Sequence, residues 1–463
     1  MSGDLFLRLQ SLLGLVVLLG GLYGFGLLYN RRRLGRWFKV PWRVVLLGIG
    51  LQIVFAVLIL RTGPGAWVFE RLNDVVLLLL SASREGASLL FGGMATGQNV
   101  PVGEPLNPGN PLFSPLIADT QAPNFAAVGA FFAFNILPTI IFFSALLAIL
   151  YHSGLMTYVV GGLAWLMRRT MGTSGAETLS ASANVFVGQT EAPLFVRPFL
   201  PRMTQSELMA VMVGGFSNIA SGVLGVYAGM LAAVELGAFA IPNAGSHLLA
   251  ASVISAPAGL VCAKLLWPET EEAETSGKSS VALERSDANL LDAAVRGTRD
   301  GLLLAANVGA VLIVFTGFVW LANAGIGYLG SLTGRDDLTL QLLLGWALAP
   351  VAWLCGVPWA DATEVGSLIG IKTVLNEFFG YLQLSQGLAA ANAGETYISQ
   401  RSALIALYAI CGFANFASVG IQIGGIGVLA PGRRADLAKL GLVAMLGGAV
   451  ASLLTACVVG VLV

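Results

Sequence analysis

GGFSNIAS at residues 214–221 and CGFANFAS at residues 411–418 align without a gap, with identity at five of the eight positions (the second, third, fifth, seventh and eighth). Each stretch lies in the middle of a long apolar run. Each also follows a segment with an isolated glutamate, Glu191 in VGQTEAP and Glu377 in VLNEFFG. The recurrence of motif and context predicts that the chain is built from two related halves.

The composition indicates a membrane protein. Of 463 residues, 56% are hydrophobic and 11% are charged, whereas an ordinary soluble domain has about 25% charged residues. Too little polar surface remains to cover a water-soluble globule of this size. The 58 glycines fit a membrane setting, where glycine permits close helix packing and broken helices.

Hydropathy predicts an all-α polytopic fold with eight transmembrane helices, because a helix of about 20 apolar residues spans the hydrocarbon core. The predicted spans are residues 11–30, 43–61, 124–151, 206–235, 246–267, 301–324, 402–430 and 437–463. Residues 70–95 are apolar but contain five charges, which predicts a helix in the membrane interface. Residues 96–123 read as a polar loop, and residues 268–300 as an exposed connector leading into an amphipathic helix.

The basic residues predict the orientation of these spans. Six Arg and Lys residues between positions 31 and 43 place that loop in the cytoplasm, and both termini then lie on the periplasmic side. Residues 173–204 and 340–400 must each enter and leave on one face, so they are predicted to be re-entrant hairpins from opposite sides. The two motif-bearing spans run in opposite directions, as in an inverted repeat that builds a midplane site from broken helices.

The predicted chain has five parts: an N-terminal membrane region (1–123), a span with an interfacial helix (124–172), a first half with a hairpin and two spans (173–267), a connector with a span (268–339) and a second half with a hairpin and two spans (340–463). The alternative, that GF-x-N-x-AS serves only helix packing, explains one copy better than two copies in matched contexts.

An ionisable residue at membrane depth indicates a structural or functional role, because it costs several kcal/mol unless it is paired, solvated or bound to a ligand. Around Glu191 and Glu377 the sequence offers amide and hydroxyl groups but no basic cluster, which favours a neutral solute rich in hydroxyls and amides. Structural hydrogen bonds to backbone at the hairpin tips are the alternative role for both glutamates. Lys372 is the one cation nearby, and a salt bridge or an interfacial position explains it better than ligand binding.

Four blocks of sequence resemble the concentrative nucleoside transporter family, in its bacterial sodium-coupled form. They are GQTEAP (188–193), residues 214–225, G-x-K-x-x-x-N-E-F (370–378) and G-F-x-N-F (412–416). The resemblance implies a homotrimer in which a transport domain moves in an elevator fashion against a scaffold. It also implies that Gln189, Thr190 and Glu191 contact the nucleobase with Val223 nearby. By the same resemblance, Glu377, Asn415 and Ser418 bind the ribose hydroxyls, and Phe413 lines the pocket.

The same resemblance implies a Na⁺ site formed by the side chain of Asn184 and the backbone of Val187, Asn218 and Ile219. Asn218 departs from the family pattern, which has Ser or Thr there, and Phe379-Gly380 replaces Val-Ala. The expectation is a non-enzymatic symporter in the bacterial inner membrane that takes up uridine-like nucleosides with Na⁺ as its coupling ion, without other cofactors and without nucleic acid as a partner. Coupling to H⁺ through Glu191 or Glu377 is the alternative, and an intramembrane enzyme or a gated channel is a remote one.

Overall fold

The structure of the chain is a computed structural model that describes residues 2–34, 38–92, 100–101, 125–126, 132–135, 137–232, 241–275, 287–332, 334–335 and 337–463. Almost all of these residues are helical. The exception in regular structure is a two-residue antiparallel pair of β1 (Val100–Pro101) and β2 (Phe125–Ala126).

The N-terminal region consists of three long helices. Helices α1 (Ser2–Leu34) and α2 (Trp42–Arg61) contain the first two predicted spans. Helix α3 (Gly63–Phe91) covers most of the segment predicted to lie in the interface, and all five of its charged side chains are exposed. Most of the predicted polar loop 96–123 lies outside the described residues. The interfacial position of α3 and the polar loop at 96–123 therefore stay predictions.

The helix found at the third predicted span is shorter than the apolar run at 124–151. After the short helix α4 (Phe132–Asn135), helix α5 extends over Leu137–His152, and it meets α6 (Leu155–Met171) at an angle of 78°. Gly154 forms the corner in the left-handed region, at φ 82°, where glycine avoids the Cβ penalty that other residues meet.

The first hairpin, predicted at residues 173–204, contains α7 (Gly175–Ala183) and two 3₁₀ turns, Ala192–Val196 and Leu200–Arg202. The span predicted at 206–235 is a broken helix, with α8 (Gln205–Ser217) and α9 (Ser221–Ala232) separated at the repeated motif. Helix α10 (Ala244–Leu266) completes this half and is almost entirely buried.

Helix α11 (Leu290–Ser331) is longer than the predicted span 301–324. The amphipathic segment expected after the connector is continuous with it, so residues 290–300 form its first three turns. Its apolar side chains are mostly exposed to the surroundings of the protein.

The prediction of one hairpin over 340–400 is wrong in detail, because the structure divides this segment into three helices. Helix α12 (Leu340–Leu354) meets α13 (Trp359–Val374) at 115°, and α14 (Glu377–Asn392) follows after two residues. Gly356 at φ 94° and Pro358 end α12 and redirect the chain. Helices α13 and α14 meet at Leu375–Asn376, so the tip expected for the second hairpin lies between these two helices.

The last predicted spans are also present. Residues 402–430 form a second broken helix, α15 (Gln400–Ile410) and α16 (Phe416–Leu429), and α17 (Arg434–Leu462) packs against α8 and α10 in the core. Among the described residues, five helices are long and apolar enough to cross a membrane, or seven if each bent pair counts as one span. The all-α polytopic fold with broken helices is confirmed.

Candidate functional site

The two copies of the repeated motif form the breaks of the two broken helices, and the breaks contact each other. Asn218 leaves α8 in extended conformation, and its carbonyl accepts a hydrogen bond of 3.3 Å from the N–H of Phe413 in the second break. Gly412 in that break has φ 148°. At the breaks, backbone N–H and C=O groups are not used within a helix. They are therefore available for contacts that two unbroken helices could make only through side chains.

The tip of the first hairpin lies against the second broken helix. Gln189 Nε2 donates to the hydroxyl of Ser418 over 3.1 Å, and Gln422 Nε2 donates to Gln189 Oε1 over 3.1 Å. The methyl group of Thr190 lies close to the α-carbon of Gly425. Residues from the two halves of the sequence are therefore in direct polar contact.

The tip of the second hairpin supplies Glu377, the first residue of α14. Asn376 caps this helix by accepting the N–H of Phe379 over 3.2 Å. Glu377 Oε2 accepts from Asn415 Nδ2 over 3.2 Å, and Glu377 Oε1 accepts from the hydroxyl of Tyr227 over 2.8 Å. Asn415 also caps α16, with its Oδ1 accepting the N–H of Ser418 over 2.8 Å.

These bonds form one continuous chain from Glu377 through Asn415 and Ser418 to Gln189. Every member is buried, and such a network has a high energetic cost if any group is left unpaired. Of the other predicted contacts, Val223 is a buried apolar neighbour on α9, and Phe413 is partly buried at the break. The arrangement can exchange hydrogen bonds with a neutral ligand rich in hydroxyl and amide groups.

Two members of the network, Tyr227 and Gln422, were not among the predicted site residues. Gln422 lies one turn after Ser418 on the same helix and also donates to the carbonyl of Met212 over 3.1 Å. Polar residues within an apolar helix were the signal that could have identified both, because a buried polar side chain needs a partner.

Glu191 does not belong to this chain of hydrogen bonds. Its carboxylate folds back against Gly188 and lies on the wall of a cavity of about 500 Å³. The cavity is also lined by Val187 and Ala220, near the first hairpin tip and the first helix break, and by Tyr151 and His152 of α5. Glu191 is thus placed where a solute beside the hairpin tip would meet it.

A charged pair borders the far end of this cavity. Arg296 donates to both carboxylate oxygens of Asp287, at 2.6 and 2.8 Å, and lies 3.6 Å from Asp300. The two charge-assisted bonds from Arg296 hold the pKa of the Asp287 carboxyl below its ordinary value. The end of the connector is therefore attached to the first turns of α11.

The residues expected to bind Na⁺ contain two buried amide atoms without partners. Asn184 Nδ2 donates to the carbonyl of Gly214 over 2.6 Å, whereas its Oδ1 has no hydrogen-bond partner within the described part of the chain. Asn218 Oδ1 accepts from the hydroxyls of Ser255 and Ser217, the latter over 3.3 Å, and its Nδ2 is the second unpartnered atom.

Oxygen ligands suit a hard cation, and an orphaned buried acceptor is the group that a cation would satisfy. Val187 and Ile219 lie outside regular helix, and no backbone hydrogen bond to either carbonyl is present between described residues. Asn184 Oδ1 and the carbonyls of Val187 and Ile219 therefore fit Na⁺, whereas the orphaned Asn218 Nδ2 is an N–H donor that cannot bind a cation.

Two reciprocal capping boxes fix the base of the first hairpin against α8. Ser174 and Glu177 cap α7, and Thr204 and Glu207 cap α8 in the same way. The Ser174 hydroxyl also donates to Glu207 Oε1 over 2.6 Å, so the boxes are joined. Lys264 Nζ lies 2.7 Å from Glu177 Oε2 in a buried ion pair. The hairpin and the broken helix are thereby held as one unit.

The expectation for Lys372 is wrong. Its side chain is almost completely buried in the last turn of α13, so it does not extend to an interface, and no carboxylate of the described chain lies within 4.0 Å. The ammonium group attracts Glu377 electrostatically across the hairpin tip.

Comparison with family models matches nearly the whole chain to nucleoside transporters. Residues 13–94 match "Na+ dependent nucleoside transporter N-terminus", residues 133–234 match "Nucleoside recognition", and residues 247–460 match "Na+ dependent nucleoside transporter C-terminus".

Curated relatives agree with these models. The chain is 40% identical over 433 residues to human "Solute carrier family 28 member 3" and 40% identical over 432 residues to rat "Sodium/nucleoside cotransporter 1". These alignments cover 92% and 91% of the chain but 56% and 60% of the relatives. The chain thus spans little more than half the length of the curated relatives that it matches.

Solved structures extend the similarity to the entire fold. The chain is 35% identical to CNTnw in an inward-facing substrate-bound state, with a TM-score of 0.82 over 98% of this chain and 97% of that one. For a variant of CNTnw in an outward-facing state the identity is 34% and the TM-score 0.81. The matched families and relatives are named as transporters, which agrees with the expectation that the chain is not an enzyme. On the fold, the three matching models and this identity over full length, the chain belongs to the concentrative nucleoside transporter family.

Proposed function

We propose that this protein is a secondary active transporter that couples the entry of Na⁺ to the uptake of nucleosides. The observation that carries this proposal is the buried hydrogen-bond chain that joins both hairpin tips and the second helix break around Glu377 and Gln189. Relatives of the chain are named as sodium/nucleoside cotransporters, which supports the same activity.

The chemistry of the network suits a nucleoside. An ionised Glu377 only accepts hydrogen bonds, and sugar hydroxyls are donors of the right kind. Gln189 offers both a donor and an acceptor, which is the pattern that the edge of a nucleobase requires. A site built to bond hydroxyls strongly disfavours ligands that lack them, because its buried groups are then left unpaired. Uridine is the natural first ligand to test.

Asn184, Val187, Asn218 and Ile219 are the residues proposed to hold Na⁺. The ion would carry charge across the membrane, and one charge is worth about 2.3 kcal/mol per 100 mV. That energy supports roughly 50-fold accumulation of a neutral solute, since a tenfold ratio corresponds to about 1.4 kcal/mol. The cavity beside Glu191 supplies a path by which Na⁺ and solute could leave the site.

The proposal includes an elevator-type movement of the transport halves, residues 173–267 and 340–463, against a scaffold formed by the remaining spans. The joined capping boxes support rigid movement of the first half. The exposed apolar surface of α11 supports contact with lipid or with other subunits of a homotrimer. We place the protein in a bacterial inner membrane with both termini periplasmic, on the distribution of basic residues.

Purified protein in proteoliposomes tests the coupling ion. We expect labelled uridine to accumulate when an inward Na⁺ gradient is imposed at equal pH, and not when choline replaces Na⁺. Accumulation driven by a pH gradient in choline would instead support H⁺ coupling through Glu191 or Glu377. Flux without accumulation would indicate a channel, and chromatography of the recovered label would reveal an enzyme.

A competition panel tests the substrate class. Unlabelled uridine, cytidine, adenosine and guanosine are expected to displace labelled uridine, whereas free nucleobases and ribose are expected to compete poorly. The ranking of purines against pyrimidines would follow from the same measurement. Equal competition by an unrelated amino acid would contradict the proposal.

A further inference from the structure

Tyr227 is a buried residue of α9 that lies one turn beyond Val223. Its hydroxyl donates a hydrogen bond of 2.8 Å to Glu377 Oε1, across the interface between the two halves of the transporter. The residue is only 2% exposed. A phenol in this position has its polar tip committed to the carboxylate, and its ring is not available to solvent.

The ring of Tyr227 is held by α14, the same helix that carries Glu377. It stacks on Tyr381 with 4.5 Å between centroids and an angle of 24° between planes, and its centroid lies 6.4 Å from that of Phe378. Aromatic pairs of this geometry are more stable than their burial alone would give. The position of the hydroxyl is therefore determined by packing as well as by its hydrogen bond.

The two bonds to Glu377 restrict its carboxylate in complementary ways. Tyr227 donates to Oε1 and Asn415 donates to Oε2, at 2.8 and 3.2 Å. An ionised carboxylate has about four acceptor sites, so each oxygen retains capacity for a further donor. Donors on both oxygens also prevent rotation of the carboxylate plane, which sets the direction in which the remaining acceptor sites point.

We propose that Tyr227 is a positioning residue that orients Glu377 for the hydroxyls of a sugar, and so contributes to the preference for ribonucleosides over deoxynucleosides. This inference rests on the proposed function. Tyr227 acts through Glu377 and need not touch the ligand itself. A carboxylate free to rotate would bond hydroxyls less well, and it would distinguish sugars by their hydroxyl pattern less strongly.

The experiment compares Tyr227→Phe with Tyr381→Phe. Both variants remove one hydroxyl from the same stacked pair, but the hydroxyl of Tyr381 donates to the carbonyl of Leu407 over 3.0 Å and not to Glu377. Binding of uridine, 2′-deoxyuridine and 3′-deoxyuridine to purified protein in Na⁺ is measured for both variants and for the wild type.

Tyr227→Phe is expected to weaken uridine binding by roughly tenfold, since the carboxylate then loses one of the two donors that fix its orientation. The affinity for the deoxynucleoside that lacks the hydroxyl bound by Glu377 should change less than about twofold, because that ligand gains nothing from the carboxylate's orientation. The preference for uridine over that analogue therefore narrows. Tyr381→Phe should leave the preference at its wild-type value.

An unchanged preference in Tyr227→Phe, or an equal narrowing in Tyr381→Phe, would overturn the proposal and assign the tyrosine a purely structural role. Should Tyr227→Phe not fold, p-aminophenylalanine and p-methylphenylalanine at position 227 fill similar space with and without a donor, and equal preferences in that pair would also overturn it. A wild-type protein that binds no nucleoside would contradict the proposed function instead.

Discussion

Asn218 and Asn415 occupy the same position in the two copies of the repeated motif, and their side chains have different partners. Asn415 precedes α16 and caps it, and its amide N–H₂ binds Glu377. Asn218 ends α8 and lies three residues before α9 begins, so it does not directly precede the next helix as Asn415 does, and its amide oxygen accepts hydrogen bonds from Ser255 and Ser217. One copy of the motif therefore serves the network around Glu377, and the other serves the proposed Na⁺ site.

Glu377→Gln is expected to lower the affinity for uridine by about 10- to 100-fold, because a neutral amide presents one acceptor where the carboxylate presents two. Binding to purified protein and uptake into proteoliposomes are the measurements. Glu364→Gln is the matched control, since Glu364 lies on the same hairpin and contacts Gln383 instead of the network. Wild-type affinity in Glu377→Gln would refute the role of this glutamate.

Ser255→Ala is expected to raise the Na⁺ concentration needed for half-maximal uptake several-fold, with little change in the rate at saturating Na⁺. The hydroxyl of Ser255 donates to Asn218 Oδ1, and its loss loosens the residue whose backbone is proposed to bind Na⁺. Stabilisation of the purified protein against heat by added Na⁺ provides a readout independent of uptake.

Ser252→Ala provides the control for that experiment. Ser252 lies one turn earlier on α10, and only its backbone carbonyl contacts the Ser255 hydroxyl. Equal Na⁺ dependence of Ser255→Ala and the wild type would show that the serine does not orient Asn218.

Among the elements, the first hairpin is distinguished by how its base is attached. Its capping box is joined to that of α8 and neutralised in part by Lys264 from α10, so three segments converge on one buried polar cluster. Short hairpins have few residues with which to bury apolar surface. Here the polar cluster adds a second attachment to the buried apolar packing of α7.

Lys264→Met is expected to destabilise the protein by about 3–5 kcal/mol, because it leaves the buried carboxylate of Glu177 without its partner. Thermal unfolding in detergent measures the effect. Arg202→Met is the control, since the Arg202–Glu274 pair is largely exposed and such pairs contribute about 0–1 kcal/mol. Restoration of stability by the additional change Glu177→Gln would confirm that the unpaired charge causes the loss.

Gly412→Ala is expected to disrupt the second helix break. Gly412 has φ 148°, and a methyl carbon there would lie 2.8 Å from the carbonyl oxygen of Phe216. Backbone in this region costs about 1–3 kcal/mol for other residues, and the clash adds to that cost. We expect a fall in melting temperature and loss of uridine binding. Gly420→Ala, where no atom lies within 4 Å of the new methyl, should behave as the wild type.

Over the whole molecule, burial is distributed unequally. Helices α10 and α17 are enclosed by other helices, whereas α11 presents apolar side chains outward along its length. The wall of the cavity beside Glu191 includes Gly188 and Ala220 from residues 173–267, and the other part of the wall includes Ser144, Thr157 and Leu304 from α5, α6 and α11. Relative movement of the two parts of the wall would change the access of this cavity to solvent.

Cysteine labelling tests the side from which that cavity is reached. The four native cysteines are buried, so they should react little and provide a low background. A membrane-impermeant maleimide is expected to label Ser144→Cys and Thr157→Cys in inverted vesicles and not in intact cells, as the positive-inside orientation requires. Labelling only in intact cells would reverse the proposed topology.

Continuous apolar runs predicted most of the spans, because the hydrocarbon core imposes a minimum length of about 20 residues that is visible in the sequence. They could not separate α12, α13 and α14, since the turns between these helices depend on Gly356 and on contacts with distant helices. The end of the third span near residue 151 and the separate helix that follows it were predicted, because the apolar run ends there, but the glycine corner at Gly154 was not. Charged residues on α3 and α11 identified polar surfaces, although not where α11 begins.

Composition, hydropathy and the repeated GF-x-N-x-AS motif by themselves determined a polytopic helical protein with two related halves and two candidate glutamates. Those properties follow from the solubility of each segment, which is local to the chain. Only the tertiary structure decided that Glu377 is joined to Gln189 through Asn415 and Ser418, that Glu191 faces a separate cavity, and that Tyr227 orients the carboxylate. Partners of a buried polar group come from segments far apart in sequence, and their distances arise only when the helices pack.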